Sequence, residues 1–129
     1  MNVRDAAVRS GLPAKTLRYY DDIGLVVPER RGNGYRDYDS SAVQKLAFLK
    51  RARQLGFSID DCRQLLSLYE DKDRASADVK ALAETHLAEI DKRLEELEHL
   101  RDTLKHLIHA CRGDERPDCP ILADLSGSE

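Results

Sequence analysis

Tryptophan is absent, phenylalanine occurs twice and methionine once, and aromatic residues fill only 5 % of the 129 positions. With so few large side chains, a chain of this length supports one modest domain and not two full cores. Long apolar runs are also missing. Nothing approaches the roughly 20 residues of a membrane-spanning helix, and Met1 leads into Asn2-Val3-Arg4-Asp5 and not into a secretory leader. A cytoplasmic location is expected, with no membrane partner. Cysteine is scarce. Cys62, Cys111 and Cys119 are too few for a disulfide framework, and in a reducing compartment they read as metal-binding, redox-active or buried. Charge, by contrast, is abundant at 35 %. That balance suits an elongated helical protein with much solvated surface and a partner that completes its core.

The net charge of −3 conceals an asymmetry. Residues 1–58 carry 11 Lys/Arg and 6 Asp/Glu, a net +5, whereas the remainder carries 10 and 18, a net −8. A basic N-terminal half joined to an acidic half fits a nucleic-acid reader with a separate partner segment. Uneven surface charge with no role is the other reading.

Val3, Ala6 and Ala7 give the first helix an apolar face, and Gly11 permits the left-handed backbone of a tight turn. Pro13 suits a first helical position. A second helix then runs from Ala14 to Asp22 and stops at Gly24, carrying Lys15, Arg18, Tyr19 and Tyr20. This is a helix-turn-helix pattern, which many helical hairpins share. Leu25-Val26-Val27 is β-prone and bounded by Pro28, Arg30 to Gly34 is a basic turn, and Tyr35-Arg36-Asp37-Tyr38 alternates like a strand. Asn33-Gly34 is a hairpin-turn dipeptide. A basic-tipped hairpin directly after a helix-turn-helix is a wing, and the combination is far more specific than either half.

Ser40 is a candidate cap for a helix with Val43, Leu46, Ala47 and Leu49 on its apolar face, ending at Gly56. Ser58 and Asp61 resemble a capping box, opening a helix that places Cys62 in the stripe Ile59, Cys62, Leu65, Leu66, Tyr69. There the thiol reads as a small core hydrophobe. After a polar break at Glu70 to Ser76, a long helix is expected from about Ala77 to His109, roughly 50 Å at 1.5 Å per residue. Its stripe of Ala83, Leu87, Ile90, Leu94, Leu97, Leu104 and Ile108 follows heptad spacing interrupted by Arg101. The same helix from a second chain, antiparallel or parallel, would cover it. A folded-back hairpin is the alternative, but no other segment is long enough to pair. The expected fold is therefore mainly α: a winged helix-turn-helix over 1–70, a linker and dimerisation helix over 71–110, and a C-terminal loop with a short terminal helix over 111–129.

Gly113, Pro117 and Pro120 prevent the helix from continuing, so Cys111 and Cys119 flank a tight loop. Two thiolates from one loop can converge on one ion, and soft thiolates favour Cu(I), with Ag(I) and Au(I) possible. Structural Zn(II) usually wants four ligands. Two thiolates around a monovalent ion leave a net −1 that a helix N-terminus would stabilise. Ser76 and Lys80 stand at the start of the long helix, and in an antiparallel dimer they would reach the loop from the partner chain. An incidental pair of thiols and a reversible disulfide switch remain the other readings. An enzyme using Cys111 as nucleophile lacks a poised base and an oxyanion framework. A plain coiled-coil adaptor would not need the basic wing.

The stretch Ala14-Lys15-Thr16-Leu17-Arg18-Tyr19-Tyr20-Asp21-Asp22-Ile23-Gly24-Leu25-Val26, followed by Asn33-Gly34-Tyr35-Arg36-Asp37-Tyr38, closely resembles the MerR family of winged-helix regulators. Arg51 to Ser58, Ser76 to Lys80 and the cysteine loop extend the resemblance over nearly the whole chain, and the loop is most similar to the copper-efflux regulator branch. The resemblance implies a homodimer on double-stranded promoter DNA. Effector binding would distort that DNA so that RNA polymerase engages a promoter otherwise silent, activating efflux genes. It implies Cys111 and Cys119 as metal ligands, and Lys15, Arg18, Tyr19, Arg31, Tyr35 and Arg36 on DNA, with the choice between Arg30 and Arg31 open. Divalent-ion members place a third cysteine where Ser76 stands, so Ser76 disfavours Zn(II), Hg(II) and Pb(II). A divalent-metal sensor and a thiol–disulfide sensor of the same fold remain the alternatives. The iron–sulfur branch would need four clustered cysteines, and drug-sensing members a large aromatic C-terminal pocket.

Overall fold

The computed structural model describes residues 1–127; the last two positions of the expected 111–129 segment lie outside the described residues. The elements run α1 (Val3–Ser10), α2 (Ala14–Asp22), β1 (Glu29–Arg30), β2 (Arg36–Asp37), α3 (Ser40–Gln54), α4 (Ile59–Glu70), α5 (Ser76–Ala110) and α6 (Pro120–Leu125). The chain forms two compact units, Met1–Leu82 and Ala83–Glu129.

In the first unit, the Asn2 side chain caps α1 by accepting the Asp5 N–H at 2.8 Å. Gly11 ends α1 at φ +76°, with the Lys50 Nζ so close that a Cβ there would lie 2.6 Å from it. Pro13 is the N-cap of α2 and not its first helical residue, because its ψ of 147° is extended. Leu17 and Tyr20 on α2 enter the core, leaving Lys15, Arg18 and Tyr19 exposed on the other face.

The first strand is not where β-propensity put it. The N–H groups of Leu25 and Val26 both donate to the Tyr20 carbonyl, at 2.8 and 3.2 Å, so they close the end of α2 and cannot join a ladder. Their side chains are buried while Val27 is exposed, and the strand begins at Glu29, where Glu29 pairs with Asp37 and Arg30 with Arg36 in antiparallel register. The turn differs as well. Gly34 N–H donates to the Arg31 carbonyl at 2.8 Å and Gly34 sits at φ +84°, but Asn33 keeps a negative φ. The hairpin is therefore a turn over 31–34 closed by a left-handed glycine, and not a two-residue Asn-Gly turn. The Asn33 Oδ1 accepts the Tyr35 N–H at 3.1 Å and stiffens the tip.

Asp39, and not Ser40, caps α3: its carboxylate accepts the Ala42 N–H at 2.8 Å and Ser40 becomes the first helical residue. Ser58 caps α4 as expected, accepting the Asp61 N–H at 3.1 Å. Leu17, Tyr38, Leu46, Leu49 and Cys62 are the largest fully buried side chains, gathered from α2, the end of the wing, α3 and α4. Ala47, expected on the apolar face of α3, is exposed, and Ala52 takes a buried place instead. Phe48 and Tyr69 stack with ring centroids 4.6 Å apart, holding α3 to α4.

Helix α5 matches its expected span to within a residue at each end, and none of its 35 residues is buried. Leu87, Leu94, Leu97, Leu104 and Ile108 are all more than half exposed. Leu100, beside the heptad break at Arg101, is exposed too and widens the stripe. The short terminal helix is present as α6, and no described helix is long and apolar enough to cross a membrane.

The core makes two substitutions diverge. Leu46→Ala removes a fully buried side chain and should cost about 2–5 kcal/mol in urea denaturation. Tyr38→Phe should change stability by less than about 1 kcal/mol, or raise it, because the buried Tyr38 hydroxyl has no hydrogen-bond partner to lose.

Candidate nucleic-acid interface and thiol centre

A groove of about 490 Å³ opens in the first unit, lined by Asn2, Val3, Arg18, Arg31, Asn33, Tyr35 and Arg36. It brings four of the six residues expected on DNA together: Arg18 from α2, and Arg31, Tyr35 and Arg36 from the wing. Lys15 and Tyr19 follow Arg18 along the exposed face of α2. Tyr35 is 72 % exposed at the wing tip. Three guanidinium groups around one concave surface form an anion-attracting site.

The structure separates the two wing arginines that the sequence left open. The Arg30 guanidinium donates to Asp21 Oδ2 at 2.9 Å and to the Gly34 carbonyl at 3.3 Å. Arg31 makes only a longer contact, 3.4 Å to Asp37, and its side chain is half exposed in the groove. Arg36 donates through Nε to the same Asp21 oxygen at 2.7 Å, and this hydrogen bond holds its proton more firmly than usual. Asp21 was not singled out by the sequence, where Asp21-Asp22 reads as the polar end of a helix. Asp37, next to Arg36 in β2, is tied to the chain's amino group at 2.7 Å, and that contact pushes its carboxyl below the usual range.

In the second unit, Cys111 follows the last residue of α5 and Cys119 is the N-cap of α6, with Pro120 at the first helical position. Proline has no N–H, so the free amides at this helix end are those of Ile121 and Leu122. The Cys119 thiol closes no hydrogen bond of good cap geometry. Even so, its pKa is lowered, chiefly by the Leu122 amide; burial opposes this, and the Ile121 amide and a hydrogen bond from the Cys111 thiol add lesser effects in the lowering direction. The two expected ligands are thus neighbours. Among the described residues no group of three or more His, Cys, Asp or Glu side chains converges anywhere, so His106 and His109 do not join them. Arg112, Asp114, Arg116 and Asp118 line a cleft of about 250 Å³ on the same loop, with Arg116 paired to Asp114 at 3.6 Å. Ser76 is the first residue of α5 and Lys80 lies one turn on; both are exposed.

Cys62 is fully buried in the first unit, and burial pushes its thiol pKa up. It behaves as the core residue its stripe predicted.

Comparison with known proteins adds the following. Residues 1–68 match the family model described as MerR HTH family regulatory protein, and residues 43–107 match that described as MerR, DNA binding. The chain is 65 % identical over 126 residues to the HTH-type transcriptional regulator HmrR of Rhizobium leguminosarum bv. viciae, covering 98 % of each. It is 43 % identical over 128 residues to the HTH-type transcriptional regulator CueR of Salmonella typhimurium (strain LT2), covering 98 % of this chain and 93 % of that one. Among solved structures, the transcription regulator PbrR691 from Ralstonia metallidurans CH34 in complex with lead(II) superposes with a TM-score of 0.84 at 30 % identity, covering 97 % and 98 %.

The thiols should differ in reactivity. A lowered pKa leaves more thiolate near neutral pH, so iodoacetamide should modify Cys119 faster than an ordinary thiol, while Cys62 should react only after denaturation. Mass spectrometry of the reduced native protein should therefore find Cys62 unmodified when the loop cysteines are already carboxamidomethylated.

Proposed function

The chain belongs to the MerR family of helix-turn-helix regulatory proteins, and from that premise we propose that it is a metal-responsive transcription regulator. In this reading it binds double-stranded promoter DNA as a homodimer and activates copper, silver or gold efflux genes when Cys111 and Cys119 take up a soft monovalent ion. It is a regulator and not an enzyme.

The observation that carries the reading is the thiol pair. Cys111 and Cys119 lie within hydrogen-bond reach on one loop, and the thiolate form of Cys119 is favoured by helix amides. Metal capture requires deprotonated thiols, so this is a seat prepared for a cation. Two sulfur donors fit a d10 ion such as Cu(I), whereas Zn(II) and Pb(II) would need further ligands that the described residues do not bring to the loop. The exposed apolar stripe of α5 supports the homodimer. In an antiparallel pair, Ser76 of the partner subunit and Lys80 of the partner subunit would stand beside the loop. Arg18, Arg31 and Tyr35 would meet the duplex together, with Lys15, Tyr19 and Arg36 beside them. RNA polymerase would be affected indirectly, through the shape imposed on the promoter.

Arg18→Ala should weaken binding to a preferred duplex by about 1–3 kcal/mol and flatten its salt dependence, as read by fluorescence anisotropy across a salt series. Unchanged affinity would remove Arg18 from the interface.

For the sensor, the reduced protein should bind one Cu(I) per chain, two per dimer by sedimentation, with two sulfur neighbours in X-ray absorption. Cys111→Ser and Cys119→Ser should each abolish reporter activation while leaving DNA binding intact, and Ser76→Cys should admit divalent ions. Activation of the wild type by Zn(II) or Pb(II) as well as by Cu(I) would favour a divalent sensor. Activation by diamide in the presence of a chelator would favour a disulfide switch.

A further inference from the structure

Arg30 and Arg36 are direct cross-strand partners in the two-stranded hairpin. Like charges in that position repel and destabilise a ladder. Here the repulsion is met by one atom, because Asp21 Oδ2 accepts from Arg30 at 2.9 Å and from Arg36 at 2.7 Å. The Asp21 side chain is only 8 % exposed, while those of Arg30 and Arg36 are 51 % and 24 % exposed. The carboxylate is therefore largely withdrawn from solvent and from any large ligand, and the hydrogen bonds it accepts come from the two guanidinium groups. It also belongs to the last turn of α2, the helix that presents Lys15, Arg18 and Tyr19. One charge thus pins both strands of the wing to that helix, and the groove has Arg18 on one wall and Arg31, Tyr35 and Arg36 on the other.

We propose that Asp21 is the positioning residue for sequence discrimination: it touches no DNA, and by clamping Arg30 and Arg36 it fixes the spacing at which α2 and the wing read one duplex. The proposal rests on the DNA-binding reading above. Phosphate contacts need only positive charge and survive a loose wing, whereas base-edge and shape readout require a fixed geometry. Asp21 accordingly lowers affinity for arbitrary DNA, by engaging two cations, and raises the preference for the correct sequence.

The test uses the full reduced chain and two probes: a duplex selected by the wild type from a random-sequence pool, and a scrambled duplex of equal composition. With Asp21→Asn, scrambled-duplex affinity should stay level or rise, and the selected-to-scrambled ratio should fall by at least about tenfold. The salt dependence should steepen by up to about two phosphate contacts, a change that simple destabilisation would not produce. Arg30→Met, which breaks one arm of the clamp, should lower the ratio in the same direction, and it decides the matter if Asp21→Asn does not fold. A ratio within twofold of wild type in the folded variant overturns the proposal, as does an equal loss on both probes. If the wild type itself selects no preferred duplex, the DNA-binding reading fails instead.

Discussion

A hairpin whose strands are two residues long cannot stay folded on its own contacts, so the wing depends entirely on what it is fastened to. Besides the Asp37 pair with the amino group, three fastenings of different kinds are visible. Tyr38, just past β2, is fully buried among Leu17, Leu46 and Leu49. Its N–H donates to the Met1 carbonyl at 2.7 Å, tying the strand end to the approach of α1. Asp21 takes the two cross-strand arginines. The first fastening is apolar, the second is backbone, the third is ionic, and all three converge on the helix pair that the small core holds together. The groove is a by-product of this arrangement, since its two walls, α2 and the wing, are held at their spacing by these fastenings.

The second unit shows the opposite economy. Helix α5 has no buried residue, and α6 is six residues long, well below the length at which an isolated helix persists. Apolar side chains left in water at such density are a surface waiting for a partner. The thiol loop sits between these two helices in the chain, and Cys119 serves as the N-cap of the shorter one. Its chemistry is thereby joined to backbone amides that have no other acceptor within the helix.

Much of this was legible beforehand. Helix ends followed glycines and caps, because a left-handed residue or a side-chain acceptor is a local requirement that local sequence declares. The heptad stripe announced α5, and the spacing of two cysteines around proline and glycine announced the loop. What was misplaced had tertiary causes. Leu25 and Val26 have β-propensity, but the core took their side chains and Tyr20 took their amides. Ser40 looked like a cap, yet Asp39 reached the amide first. Asp21 was invisible as a hub because its partners lie 9 and 15 residues away, and nothing in a helix-ending acidic pair reveals them. The different surroundings of Arg30 and Arg31 were hidden for the same reason, since only Arg30 reaches that carboxylate. The N-cap role of Cys119 did have a signal, the Cys119-Pro120 step, whose proline fits a first helical position.

The hairpin divides into a base and a tip. Arg30, Arg36 and Tyr38 make the base, each committed to a neighbour in the folded unit, whereas residues 31–35 close on themselves through the Arg31–Tyr35 and Gly34–Arg31 hydrogen bonds. The Arg30 guanidinium adds one link from base to tip through the Gly34 carbonyl, so a tip of other side chains can be exchanged as long as a carbonyl remains there to meet it. Such a division makes the wing evolvable: recognition can drift in the five-residue cassette while stability is guarded by residues outside it.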